Sequence, residues 1–235
     1  MAHVTRLHVD QPLGPGQTVP LSRDHANRLF NVMRLRPGDE LRLFNGRDGE
    51  WRARVEEANK RGGTLRVEAQ TAPLQMPPDL WLLFAPIKKE RTDFIVEKAA
   101  ELGAARILPV QTEFTNAERL RIDRLQAHAV GAAEQCGGTY VPEVAPLQKL
   151  SAVLADWPKD RHLMFCDEAA TSGTLPPTPG PWAIVIGPEG GFSDAERSRL
   201  AALGHTVTLG PRILRADTAA VAAMTLWQMQ LGDWS

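Results

Sequence analysis

Two short stretches carry residue types and spacings that could do chemistry. The first, IVIGPEGGFSDAE over residues 184–196, ends an apolar run at Gly187, adds Gly190 and Gly191, and leads into a helix start. The second, LGPRILRADT over residues 209–218, sets Arg212 and Arg215 around Ile213 and Leu214, ahead of Asp217, Thr218 and an alanine-rich run. Glycines let a backbone come close to a ligand. Neither stretch has the G-x-G-x-x-G spacing of a dinucleotide loop or the GK[ST] of a P-loop. Glu189 also sits inside the first loop, where a carboxylate would repel phosphate. A neutral or cationic ligand suits that loop better. Arg215 is open to two readings: half of an ordinary ion pair, with Asp217 or Glu189 as partner, or a group that stabilises negative charge developing in a reaction. Ser193 is committed elsewhere. With Glu196 it forms the S-x-x-E of a capping box, and no histidine stands near it in sequence to activate it. Asp217 or Thr218 reads as the N-cap of the last helix.

The elements around these loops follow one rhythm. From residue 80 onward, apolar strand-like runs (LWLLFAPI, RILPV, HLMFCD, WAIVIG, TVTLG) alternate with helix-like segments (RTDFIVEKAAEL, RLRIDRLQAHAVGAAEQ, LSAVLADW, DAERSRLAAL, TAAVAAMTLWQMQL). Such alternation predicts a mostly parallel sheet with helices on both faces. In open α/β sheets, ligands bind beyond the carboxyl ends of the strands, where both loops fall. Residues 1–72 read differently. HVTRLHV, DELRLFNG, EWRARVEEA and TLRVEAQTA show β-type alternation, with turn signals at Pro37-Gly38, Asn45-Gly46 and Gly62-Gly63. One helix, capped by Ser22 and running to Met33, fits between them. The expectation is a small β-barrel over 1–72, a proline-bearing linker over 73–79 and an α/β domain over 80–235.

Composition narrows the partners less than it narrows the class. A chain of 235 residues with 43% hydrophobic and 23% charged residues is an ordinary globular protein. Cys136 and Cys166 form no CxxC, and the six histidines form no HxH or HxxxH pair, so no metal is expected. The amino terminus lacks the apolar core of a signal peptide, and no apolar run approaches the ~20 residues of a membrane span. A cytoplasmic protein with reduced thiols is the expectation. The net charge of −1 conceals an asymmetry. Residues 1–72 hold 12 Lys and Arg against 9 Asp and Glu, whereas the rest hold 15 against 19. The basic residues of the first part are nearly all arginine, which suits bidentate phosphate contacts, although a solvated arginine-rich surface has the same composition.

Taken with KAAELGA and AAEQCGG upstream, IGPEGGFSDAE and LGPRILRADTA closely resemble the 16S ribosomal RNA uridine-N3 methyltransferases, the RNA small subunit methyltransferase E family of the SPOUT superfamily. The resemblance covers essentially the whole chain. It implies a PUA-type β-barrel for RNA binding, followed by a SPOUT domain with a deep trefoil knot, which general rules of chain threading would exclude. It implies S-adenosylmethionine as cofactor, with Gly187, Pro188, Glu189, Gly190 and Gly191 on one side. Leu209, Gly210, Ile213, Leu214, Arg215 and Ala216 would form the other, with Thr218 close by and Glu168 beneath. Arg215 would stabilise charge on the uracil and Glu189 would handle its N3 proton. Arg6, Arg23, Arg28, Arg34 and Arg36 become candidates for phosphate contacts with 16S ribosomal RNA, in the small ribosomal subunit, and the protein is expected to be a homodimer. Two positions depart from the family pattern: Gly138 stands where arginine is usual, and Asp217 where glutamate is. A SPOUT enzyme acting on another RNA, or an inactive RNA-binding relative, would share the loop motifs.

Overall fold

The computed structural model describes residues 4–59, 61–116, 119–170 and 172–234. They separate into two compact units, Met1–Met76 with Ala133–Val141, and Pro77–Ala132 with Pro142–Ser235.

The first unit is built on five strands: β1 (Arg6–His8), β2 (Thr18–Pro20), β3 (Glu40–Phe44), β4 (Glu50–Asn59) and β5 (Gly62–Ala72). They pair in the order β1-β3-β4-β5-β2, with β1 parallel to β3 and every other pair antiparallel. Alternation explains the core. Leu41, Leu43, Ala53, Val55, Leu65 and Val67 are buried together, while Arg52, Arg54 and Arg66 alternate with them along the strands. Helix α1 (Arg23–Ala26) is capped by the Ser22 hydroxyl, which accepts the His25 N–H. It then widens into a π-helical turn over Asn27–Val32 that buries Leu29. Gly62-Gly63 is not a turn, as the glycine pair suggests, but the start of β5. A Cβ at Gly63 would lie 2.5 Å from the Glu57 carbonyl oxygen and 2.7 Å from the Phe30 ring, so the glycine serves close approach within the sheet.

The expected assignment of residues 80–235 to a single domain needs correction at Ala133–Val141, which joins the first unit. Polar matching accounts for this. Arg6, stacked 4.5 Å from the centre of the Phe44 ring, donates to the carbonyls of Ala133, Glu134 and Gly138. The Glu134 carboxylate accepts the His8 N–H at 2.9 Å and pairs with Arg28 at 2.6 Å.

The second unit holds β6 (Leu80–Phe84), α2 (Lys89–Glu101), β7 (Arg106–Gln111), α3 (Ile122–Cys136, whose last residues belong to the first unit), β8 (Glu143–Val144), β9 (Gln148–Lys149), α4 (Leu150–Ala155), β10 (His162–Cys166), β11 (Trp182–Ile186), α5 (Asp194–Leu203), β12 (His205–Val207) and α6 (Ala216–Leu231). Its sheet is wholly parallel, in the order β12-β10-β11-β6-β7-β8, with β9 alongside β7. Leu83, Leu163, Phe165, Ala183 and Val185 pack with Leu150 and Leu154 of α4 and Leu200 of α5. The alternate residues Leu82, Phe84, Ile184 and Ile186 are equally buried, so both faces of the sheet are covered. Among the described residues no helix is long and apolar enough to cross a membrane.

Candidate functional site

Cys166, Ile186 and Val207 end β10, β11 and β12, three neighbouring parallel strands, so the loops that follow leave the sheet at one edge. Between those loops lies a cavity of about 410 Å³, within the usual range for small-molecule sites. Gly187, Pro188, Glu189, Gly190, Gly191, Leu209, Gly210, Ile213, Leu214, Arg215, Ala216 and Glu168 all line it. Thr218 does not. It lies in the first turn of α6, exposed, with its N–H on the Asp217 carboxylate. Sequence reasoning missed Cys166, Asp167, Thr208 and Ala219 as walls; their signal was position, at or next to a strand end or one turn into α6.

The first loop is braced from several sides. The Gly191 N–H closes a tight turn on the Pro188 carbonyl at 3.0 Å. Gly191 has φ 69°, and a Cβ there would stand 2.4 Å from Glu168 Oε1, so both backbone shape and space demand glycine. Beneath the loop, Phe192 is buried edge-on against Phe165, 5.4 Å between ring centres, and passes under Gly187. Ser193 and Glu196 form the expected reciprocal cap on α5. Arg197, one turn into α5, donates to the Phe192 carbonyl and to the carboxylates of Asp167 and Glu168. Two of the three acids lining the cavity are thereby neutralised. Glu189 is exposed and has no ion pair or side-chain hydrogen bond among the described residues. Burial pushes the Cys166 thiol up to about 12, which keeps it protonated and unreactive on the cavity wall.

The second loop has little to hold it. Thr208 and Gly210 exchange two long contacts of 3.4 Å. Ile213 is 83% exposed, and Arg212 and Arg215 are exposed with no side-chain partner among the described residues. The N-cap expectation for this segment needs correction, and of the two readings of Arg215 the ion pair is not formed. Helix α6 starts at Ala216, so its N-cap is Arg215 without a side-chain cap, not Asp217 or Thr218. Arg215 pairs with neither Asp217, which faces Arg91 at 3.8 Å, nor Glu189. An arginine in a cavity wall with no internal partner is free to meet charge on a ligand.

The arginines of the first unit divide into two groups. Arg52 and Arg54 clasp Glu68, Arg54 reaches Glu40 and Arg66 pairs with Glu56. The hydrogen bond from Arg54 leads in holding the Glu68 carboxyl below its ordinary range. Arg6 belongs with these paired residues: its side chain is 9% exposed and bound to Glu50 and three carbonyls, which commits most of its donors within the protein. The charge was read as surface charge, but the segment that covers it lies more than 120 residues away. Arg28 is shared with Glu134. Arg23, Arg34 and Arg36 are exposed, and their side chains engage no partner among the described residues. Arg34 takes the left-handed backbone conformation at φ 62°, next to exposed Val32 and Met33. No three His, Cys, Asp or Glu residues gather as a metal site among the described residues.

Comparison with known proteins bears on both units. The RNA methyltransferase domain matches residues 75–228, and the RNA methyltransferase PUA domain matches residues 26–68. Ribosomal RNA small subunit methyltransferase E of Rickettsia conorii is 29% identical over 231 residues, 93% of each chain. Its counterpart in Synechocystis is 30% identical over 88% of this chain and 71% of that one. The crystal structure of the Neisseria gonorrhoeae enzyme of the same name, bound to S-adenosyl methionine, superposes with a TM-score of 0.90 at 30% identity, covering 99% of this chain and 100% of that one. With a domain match over most of its length and relatives aligned almost end to end, the chain belongs to the ribosomal RNA small subunit methyltransferase E family.

Proposed function

We propose that the protein methylates N3 of one uridine in 16S ribosomal RNA of the small subunit, using S-adenosylmethionine. The observation that carries this reading is that one cavity holds an unpaired carboxylate, Glu189, and an unpaired guanidinium, Arg215, each on a different glycine-bearing loop. S-adenosylmethionine suits the residues present. The cavity has the right size, its glycines leave backbone groups accessible to an adenine edge, and Glu189 tolerates the positive sulfonium that it would not tolerate as phosphate. Bound there, the cofactor supplies an electrophilic methyl group.

The chain's own residues supply the rest. Uracil N3 carries a proton and is a poor nucleophile until it leaves. Glu189 accepts that proton, and Arg215 stabilises the charge that spreads onto the uracil carbonyl oxygens. The braced first loop fixes the backbone that carries Glu189 before substrate arrives, and positioning contributes a large part of the acceleration. In the first unit Arg23, Arg34 and Arg36 contact RNA phosphates, with Arg28 contributing what Glu134 leaves free. With the family resemblance come a deep trefoil knot in the second unit, a homodimer and a cytoplasmic site of action. Exposed Met229 on α6 is consistent with a subunit contact there. The test is to supply labelled S-adenosylmethionine and small ribosomal subunits to the purified protein and map the modified base. Label at N3 of a single uridine supports the proposal; cofactor binding with no label on subunits, naked ribosomal RNA or transfer RNA refutes it.

A further inference from the structure

The turn after β7 carries an aromatic ring beside the cavity that the reaction as described does not use. Thr112–Thr115 is a rigid turn: the Thr115 N–H bonds the Thr112 carbonyl at 3.2 Å, and the Thr112 N–H bonds Thr115 Oγ1 at 2.9 Å. The Glu113 N–H donates at 3.0 Å to Glu196, the carboxylate that also closes the cap of α5. The turn is therefore tied to the base of the first loop. Phe114 projects from it against Gly190. A Cβ at Gly190 would stand 3.2 Å from Phe114 Cβ and 3.7 Å from the ring, so the missing side chain is what lets the phenylalanine sit against a residue of the cavity wall. The ring is 46% exposed, whereas the aromatic residues of the second unit's core, Phe84, Phe165, Trp182, Phe192 and Trp227, are 4% exposed or less. A large apolar ring held by a hydrogen-bonded turn, half in water, at the edge of a ligand cavity, is the arrangement of a stacking surface.

We infer that Phe114 is the platform on which the target uracil lies once it has left the RNA stack. The inference rests on the function proposed above. N3 is on the pairing edge, so the base must be unpaired or flipped out and loses its stacking neighbours. An aromatic ring restores a stacking partner through the face of the base and leaves the N3 edge free. A polar group that read the same edge would obstruct methyl transfer. Phe114 is thus a substrate-binding residue that takes no part in proton movement.

The test uses full-length protein carrying Phe114→Ala, Phe114→Leu or Phe114→Tyr, small ribosomal subunits as substrate, and three readouts: methyl-transfer kcat/KM, cofactor Kd and oligomeric mass by sedimentation. Loss of one stacked base corresponds to about a tenfold to hundredfold fall in kcat/KM for Phe114→Ala. Leucine should not rescue it, tyrosine should restore it to within about threefold, and cofactor Kd and mass should not move. The inference is overturned if leucine performs as well as tyrosine, since then only apolar bulk is needed. It is equally overturned if cofactor affinity falls with activity, or if the mass changes because a second copy of the chain covers the ring. Wild-type protein that labels no RNA refutes the proposed function and this inference with it. Wild-type activity with an unimpaired Phe114→Ala variant refutes the inference alone.

Discussion

The two loops that wall the cavity are built in opposite ways. The first is supported from below by Phe192, from the side by Arg197 and at its end by the Ser193–Glu196 cap, and its turn is closed by Gly191. The second is held by long 3.4 Å contacts, two between Thr208 and Gly210 and one from the Thr208 N–H to the Gly173 carbonyl, and presents the side chains of Arg212, Ile213 and Arg215 without hydrogen bonds or ion pairs among the described residues. One loop is arranged before a ligand arrives; the other leaves its functional groups uncommitted, and ligand binding must bear the entropy of ordering them. The difference teaches that sequence likeness between two glycine-bearing motifs says nothing about which one is rigid. Rigidity comes from the residues that follow the glycines, Phe192, Ser193 and Glu196 within the first motif and Arg197 just beyond it.

That contrast can be broken most severely at Arg215. Because the Arg215 side chain has no hydrogen bond or ion pair among the described residues, Arg215→Ala should lower kcat by about 10²–10³ and leave stability within ~0.5 kcal/mol of the parent; single-turnover kinetics and urea denaturation check the two halves separately. A fall in stability of several kcal/mol would show that the second loop is not free after all. Arg197→Ala should do the reverse. It removes the hydrogen bonds to the Phe192 carbonyl, Asp167 and Glu168 and should cost about 1–3 kcal/mol of stability together with cofactor affinity. With saturating cofactor, kcat should largely recover, which titration calorimetry and steady-state kinetics would reveal.

A finer comparison sets Gly191→Ala against Gly210→Ala. Both glycines have positive φ, 69° and 111°, so each substitution incurs backbone strain of about 1–3 kcal/mol. Only at Gly191 would the added Cβ also collide with Glu168, whereas nothing lies within 4 Å at Gly210. Gly191→Ala should therefore weaken cofactor binding more, and equal effects would mean that the brace is not felt at the site. The smallest expected signal is in hydrogen exchange. Adding S-adenosylmethionine should slow the amides of residues 208–215 and change those of 188–197 much less; the opposite pattern would reverse the assignment of rigid and mobile loops.

Much of this site was legible in the sequence, and the reasons for the failures are physical. Strand–helix alternation and the two glycine motifs located the cavity, because both signals are local and the carboxyl end of a parallel sheet is where such loops must gather. Ser193–Glu196 was read correctly because a capping box is set by four consecutive residues. Asp217 was misread because N-cap preference at the head of α6 is a weak local tendency, and the chain begins the helix earlier, at Ala216. Gly62-Gly63 looked like a turn although its smallness serves Phe30, more than thirty residues away. Arg6 looked like surface charge because the carbonyls that bury it lie beyond residue 130. Phe114 gave no signal at all: a lone aromatic between threonines acquires meaning only through the glycine it rests on.

The allegiance of Ala133–Val141 has a consequence for how the chain is made. Synthesis proceeds from the amino terminus, and domains generally fold as they emerge. Yet when Met76 leaves the ribosome, the first unit is still missing the carbonyls that receive Arg6 and the carboxylate that meets His8 and Arg28. Those groups arrive only after β6, α2, β7 and most of α3 have been translated. The amino-terminal unit must therefore wait, with an ion-pairing arginine unmet, while nearly sixty residues of its neighbour pass by. Its completion is coupled in time to the appearance of the first strands of the sheet that carries the cavity.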